Sequence, residues 1–168
     1  MRKVLPVVMI VLLFSCSKRN DDPNALNNED RLFISSLIRS HQVEIRESQL
    51  ALNRSQHPAV RMFASAAIEQ YTAARQDVME VVSRVGYDLK DTASVSVRYD
   101  DHAENLAGYD FDTAFMKSRV RSHQVMMELY RNEINNGNHT YVRNYLVNRG
   151  LEQVRSNWLK ADSIVRTF

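Results

Sequence analysis

Residues 58–86 read PAVRMFASAAIEQYTAARQDVMEVVSRVG, and their spacing decides the fold. Val60, Ala64, Ala67, Tyr71, Ala74, Val78, Val81 and Val85 recur first at a step of four and then at alternating steps of three and four. That period lines one side of a helix with small and apolar groups, the pattern of a helix packed in a bundle. Pro58 suits the first helical position, where its missing N–H would be unpaired in any case, and Gly86 suits the residue just past the end. The predicted helix covers residues 58–85.

Three more helices follow from the same rule. Residues 28–55 place Ile34, Leu37, Ile38, His41, Ile45 and Leu52 on one face. Residues 111–136 place Met116, Val120, His123, Met127, Tyr130 and Ile134 together, with Asp110 as N-cap and Gly137 as the stop. Residues 140–166 place Val147, Leu151, Val154, Trp158, Ala161 and Val165 in step, weakened somewhat by Gly150. Helices one and two, and helices three and four, are joined by only a few residues, which makes each pair antiparallel. Between helices two and three lie residues 87–110. A helix of this size is about 40 Å long, and such a linker, partly helical around 99–107, spans that length. The expected fold is therefore all-α: a ferritin-like four-helix bundle over residues 28–168 with one long crossover between helices two and three.

A repeat supports this layout. Arg39-Ser40-His41-Gln42-Val43 recurs as Arg121-Ser122-His123-Gln124-Val125. At the same offset His57, Val60 and Arg61 match His139, Val142 and Arg143, and Phe63 pairs with Tyr145. Two related hairpins would pack about an approximate two-fold axis.

Upstream of the bundle the chain changes character. Arg2 and Lys3 precede an apolar run over residues 4–13, too short to span a bilayer, which needs about 20 such residues. Leu13-Phe14-Ser15-Cys16 follows and resembles the lipobox of bacterial lipoproteins. The resemblance implies a signal peptide over residues 1–15, cleavage, and lipidation of Cys16, with a flexible tether over residues 16–27 that carries Pro23. It implies a cell-envelope address, anchored through lipid, at the periplasmic or surface face of the outer membrane. Asp21-Asp22 is either a surface-sorting signal or plain solvated linker. Cys16 is the only cysteine, so no intramolecular disulfide forms and packing alone must hold the domain.

Charge excludes one class of partner. Lys and Arg number 22 against 20 Asp and Glu; without Arg2 and Lys3 the balance is zero. No basic run offers a patch for nucleic acid. No Gly-rich phosphate loop, nucleophile elbow or paired zinc motif appears. The methionines, among them Met116, Met126 and Met127, and the aromatics Tyr130, Tyr141, Tyr145 and Trp158 read as bundle packing. His57, His102 and His139 read as solvated, as do the arginine faces that include Arg119, Arg121, Arg143, Arg149 and Arg155.

His41, Tyr71, His123 and Asn157 lie near the midpoints of their helices, with Glu44 one turn from His41. Midpoints of equal helices meet at one level, so these five residues are the candidate polar cluster. One expectation is a satisfied core in which the histidines bond Tyr71, Glu44 or Asn157 and fix helix register. Another has helices rotated so that some of the five face solvent. The sharper one is a metal or small-ligand site using His41, Glu44 and His123. Di-iron bundles use Glu-x-x-His on two helices, and this chain has no Glu-x-x-His. No catalytic residue, no cofactor and no native metal is expected.

Val60-x-x-Phe63-Ala64 and Leu106-x-Gly108-x-x-Phe111-Asp112-x-x-Phe115-Met116, with Glu44, resemble the bacterial domain family DUF4142 over about residues 30–165. That resemblance implies a ferritin-like, mostly exported helical domain with no established activity. It also implies Asp-His pairs in helices two and three and a histidine in helix four. This chain carries Gln70-Tyr71, Ser122-His123 and Asn157 there instead. The expectation is thus a non-enzymatic envelope module that binds an envelope protein or serves stress tolerance, or alternatively a metal or small-ligand binder.

Overall fold

The computed structural model describes residues 26–87, 103 and 105–168. The helices are α1 (Asn28–Arg54), α2 (Pro58–Arg84), α3 (Gly108–Asn136), α4 (Thr140–Tyr145) and α5 (Leu151–Val165), with a π-helical turn, Leu146–Gly150, fusing the last two into one rod. No strand occurs among the described residues. No helix among them is long and apolar enough to cross a membrane. Residues 1–25, with Cys16 and the expected signal peptide, lie outside the described residues, as does most of the crossover helix expected at 99–107.

Local chemistry sets the helix ends. Asn27 and Asp30 form a reciprocal capping box at the start of α1: Asn27 Oδ1 accepts the Asp30 N–H at 2.8 Å, and Asp30 Oδ2 accepts the Asn27 N–H at 3.0 Å. Pro58 opens α2 as expected. Past its end Gly86 adopts φ +65°, the Gly86 N–H donates to Ser83 O, and the Tyr87 N–H donates to Val82 O. That pair of bonds is a Schellman motif, whose left-handed residue favours glycine. The start of α3 departs from expectation: its cap is Ala107, and Asp110 falls in the first turn, where its charge favours the helix dipole without capping it.

Contacts between helix ends give the directions. Tyr87, just past α2, bonds Ser35 of α1 at 2.8 Å. Asp30 of α1 accepts the Asn138 N–H after α3, and Arg84 of α2 lies over the Tyr141 ring of α4. At the opposite end Arg54 of α1 lies over Phe111 of α3, His57 meets Phe168, and the Tyr109 hydroxyl donates to the Phe168 carbonyl. The hairpin partners are therefore antiparallel. α2 ends where α1 begins while α3 starts at the far end, so the connection between them joins opposite ends. Packing is most extensive within the pairs α1–α2 and α3–α5; α1–α3 and α2–α5 close the bundle. The core holds Ile34, Leu37, Phe63, Phe111, Phe115, Leu146 and Val154.

The fourth rod corrects one expected position. Val147 is exposed, and the buried line runs Val142, Leu146, Gly150, Val154, Asn157, Ala161. The π turn inserts one residue, and one residue is about 100° of helix rotation. A seam read at a strict α period thus points the wrong way on the near side of the insertion.

Candidate functional site

The bundle centre is polar. His41 and Glu44 come from α1, Tyr71 from α2, His123 from α3 and Asn157 from α5, and none is more than 2% exposed. The alternative in which some of the five face solvent is therefore not the arrangement adopted. Tyr71 lies between the two imidazoles, its ring centroid 5.4 Å from His41 and 6.0 Å from His123. The Asn157 side chain lies beside the Tyr71 hydroxyl. Phe63 closes the far side of His123 edge-on.

Most hydrogen bonds go to partners outside the five candidate residues. His41 Nε2 pairs with the Tyr130 hydroxyl at 3.1 Å. His123 Nδ1 meets the Arg119 carbonyl, four residues back, at 2.6 Å. A carbonyl only accepts, so Nδ1 carries the proton, and in the neutral ring Nε2 presents a lone pair. That lone pair faces Glu44 Oε2 at 3.8 Å. Glu44 Oε1 is the engaged oxygen: Ser122 Oγ donates to it at 2.6 Å and Arg119 Nη1 lies 3.0 Å away. His41 Nδ1, Glu44 Oε2 and His123 Nε2 make no hydrogen bond within the protein.

Arg119 is the principal correction. Its place among surface arginines suggested a solvated charge, yet it is 3% exposed and neutralises Glu44. The signal was present, since a carboxylate at an inward position of helix one demands a buried cation. His139 was also expected in solvent; it is buried, and its Nδ1 accepts the Tyr141 N–H to cap α4. His57 is half-buried against Phe168, and His102 lies outside the described residues.

Burial governs the protons. It pushes His41 down to about 4, against the pull of Glu44 and helped by Arg75. It lowers His123 likewise, against Glu44 and the Arg119 carbonyl. Burial alone would raise Glu44, but the Arg119 guanidinium and the Ser122 hydroxyl, joined by His123 once acid protonates it, outweigh it and hold the carboxyl below its ordinary range. Burial and the nearby negative charge keep the Tyr71 and Tyr130 phenols protonated. Near neutral pH the centre is two neutral imidazoles, two phenols and one ion pair.

A metal fits this set poorly. Among the described residues no three His, Cys, Asp or Glu side chains are grouped so as to hold a metal ion. The Arg119 guanidinium, on Glu44, also opposes a second cation there. Three surface grooves are lined elsewhere: by Asp77, Tyr141, Tyr145 and Arg149; by Ala103, Tyr109 and Lys117; and by Met127, Arg131 and Trp158.

A family model described as "Domain of unknown function (DUF4142)" matches residues 16–164. No curated protein and no solved structure matches the chain.

Proposed function

The chain belongs to the DUF4142 family, and from that premise we propose that it is a non-enzymatic module of the cell envelope, hung from the membrane by a lipidated Cys16 and working through its helical surface. The observation that carries this reading is the sealed, charge-balanced centre. Glu44 is matched by Arg119, both histidines are neutral, and no member of the cluster reaches solvent to meet a substrate. General acid–base work needs a group within hydrogen-bond reach of the reacting atom.

The anchor rests on Arg2, Lys3, the apolar run over residues 4–13 and Ser15-Cys16. An outer-membrane lipid anchor and a protein partner in the envelope complete the reading. Val125 and Leu129, exposed one turn apart on α3, offer apolar contact to such a partner. Radiolabelled palmitate fed to cells that express the full chain tests the anchor. Label should enter the wild type and not Cys16→Ser. Crosslinking in intact cells then tests the partner. An unlabelled wild type, or crosslinks to nothing reproducible, overturns the reading.

The alternative, a ferritin-like metal or small-ligand binder, would draw on His41, Glu44 and His123. The 3.8 Å approach of His123 to Glu44 favours it, and the Arg119 ion pair opposes it. Stoichiometric metal in elemental analysis of the purified protein would establish the alternative.

A further inference from the structure

A second buried acidic group lies far from the bundle centre, where α1 begins. Asp30 is fully buried. Its Oδ2 accepts the Asn27 N–H at 3.0 Å, and its Oδ1 accepts the Asn138 N–H at 3.0 Å and the His139 N–H at 3.4 Å. One carboxylate thus ties the first turn of α1 to the corner between α3 and α4. Glu133, in the last turn of α3, is buried beside it. Two ionised carboxylates buried side by side repel each other, so the pair holds a proton. The Asp30 oxygens already accept from three N–H groups, which makes Glu133 the donor.

Gly137 leaves room for that donor. A Cβ there would lie 2.5 Å from the Glu133 carbonyl oxygen and 2.5 Å from Glu133 Oε1. Any larger residue at 137 would therefore push the Glu133 carboxyl out of this position.

We propose that Asp30 and Glu133 form a proton-operated latch: the proton held by the pair fastens the start of α1 to the α3–α4 corner, and its loss frees that end of the helix. α1 supplies Asp30 and Glu29, which disfavour an ionised Glu133, and α4 supplies Arg143, which favours it. His139 at the corner is engaged as the α4 cap, and Arg31 turns to the Tyr87 ring. Burial, Asp30 and Glu29 together outweigh Arg143 and push the Glu133 carboxyl up to about 8. The folded form keeps a proton that the unfolded chain releases near 4.5, so the fastening weakens as pH rises through about 8. The latch belongs to the fold and operates whether or not Cys16 carries lipid.

Amide hydrogen exchange on the full-length protein in detergent micelles tests it. Protection of the Asn138 and His139 amides, corrected for intrinsic exchange, should fall about tenfold between pH 7 and pH 9. In Glu133→Gln it should stay level, because the amide donates to Asp30 without a titrating proton. Level protection in the wild type, or an equal fall in the variant, overturns the latch. If the variant fails to fold, the carbon-13 titration of the wild-type Glu133 carboxyl decides: a midpoint above pH 7 supports the proposal, and one near 4.5 ends it.

Discussion

Arg119 Nη1 on α3 stands 3.0 Å from Glu44 Oε1 on α1, and the two side chains are 4% and 1% exposed. An ion pair this deep ties together the two helical hairpins, since α1 belongs to the first and α3 to the second. Removing one partner strands the other as an unpaired buried charge. Arg119→Met should therefore cost about 3–5 kcal/mol in urea unfolding. Changing both, Glu44→Leu with Arg119→Met, should recover much of that loss, because the desolvation penalty of the pair disappears with it. A single variant that unfolds at the wild-type midpoint would show that the pair is not buried in solution.

His41 sets an acid limit. Its folded form stays neutral down to about 4, whereas the unfolded chain takes up a proton near 6.5. Between those values the unfolded state binds more protons, so stability falls as pH falls. His41→Gln should lose less over this window than the wild type, by on the order of 3 kcal/mol. Glu133 titrates in the opposite sense and His123 in the same sense, but both are present in each protein and cancel in the comparison. Parallel curves of stability against pH for the two proteins would refute the assignment.

The π turn makes a prediction about deletions. Removing exposed Asn148 takes out the inserted residue and lets the turn close as ordinary α-helix, with Val142 and Leu146 still in phase with Val154. The melting temperature should move by only a few degrees, at about 2–4 °C per kcal/mol. Removing exposed Arg155, beyond the turn, rotates the rest of α5 by about 100° and turns Asn157 and Ala161 out of the core, so that protein should fail to fold cooperatively. Equal damage from the two deletions would sink the account.

Gly86 is left-handed at φ +65°, with open space where a Cβ would stand. The cost of Gly86→Ala is then backbone strain alone, about 1–2 kcal/mol in urea unfolding. The Schellman bonds also position Tyr87, whose hydroxyl holds Ser35. Tyr87→Phe, which keeps the ring and drops that bond, should cost about 1 kcal/mol. No loss from either change would mean that this end of α2 is frayed.

The sequence by itself determined the helices, their antiparallel pairing and the five residues at the centre. Those features follow from local period, from Pro58 and Gly86, and from the lengths of the connections, all of which act over a few residues. The seam of α2 was legible almost residue for residue, because small side chains at bundle spacing admit one inward face. Only the tertiary structure decided which polar groups meet. Arg119 counts as a surface residue until α1 brings Glu44 against it, and Tyr130 counts as packing until His41 reaches its hydroxyl. Asp30 and Glu133 stand more than a hundred positions apart and share a proton only because two helix ends converge. The π turn escaped the sequence for a related reason: an extra residue in a helix is tolerated where neighbouring packing holds both halves in phase, and that packing is not a local property.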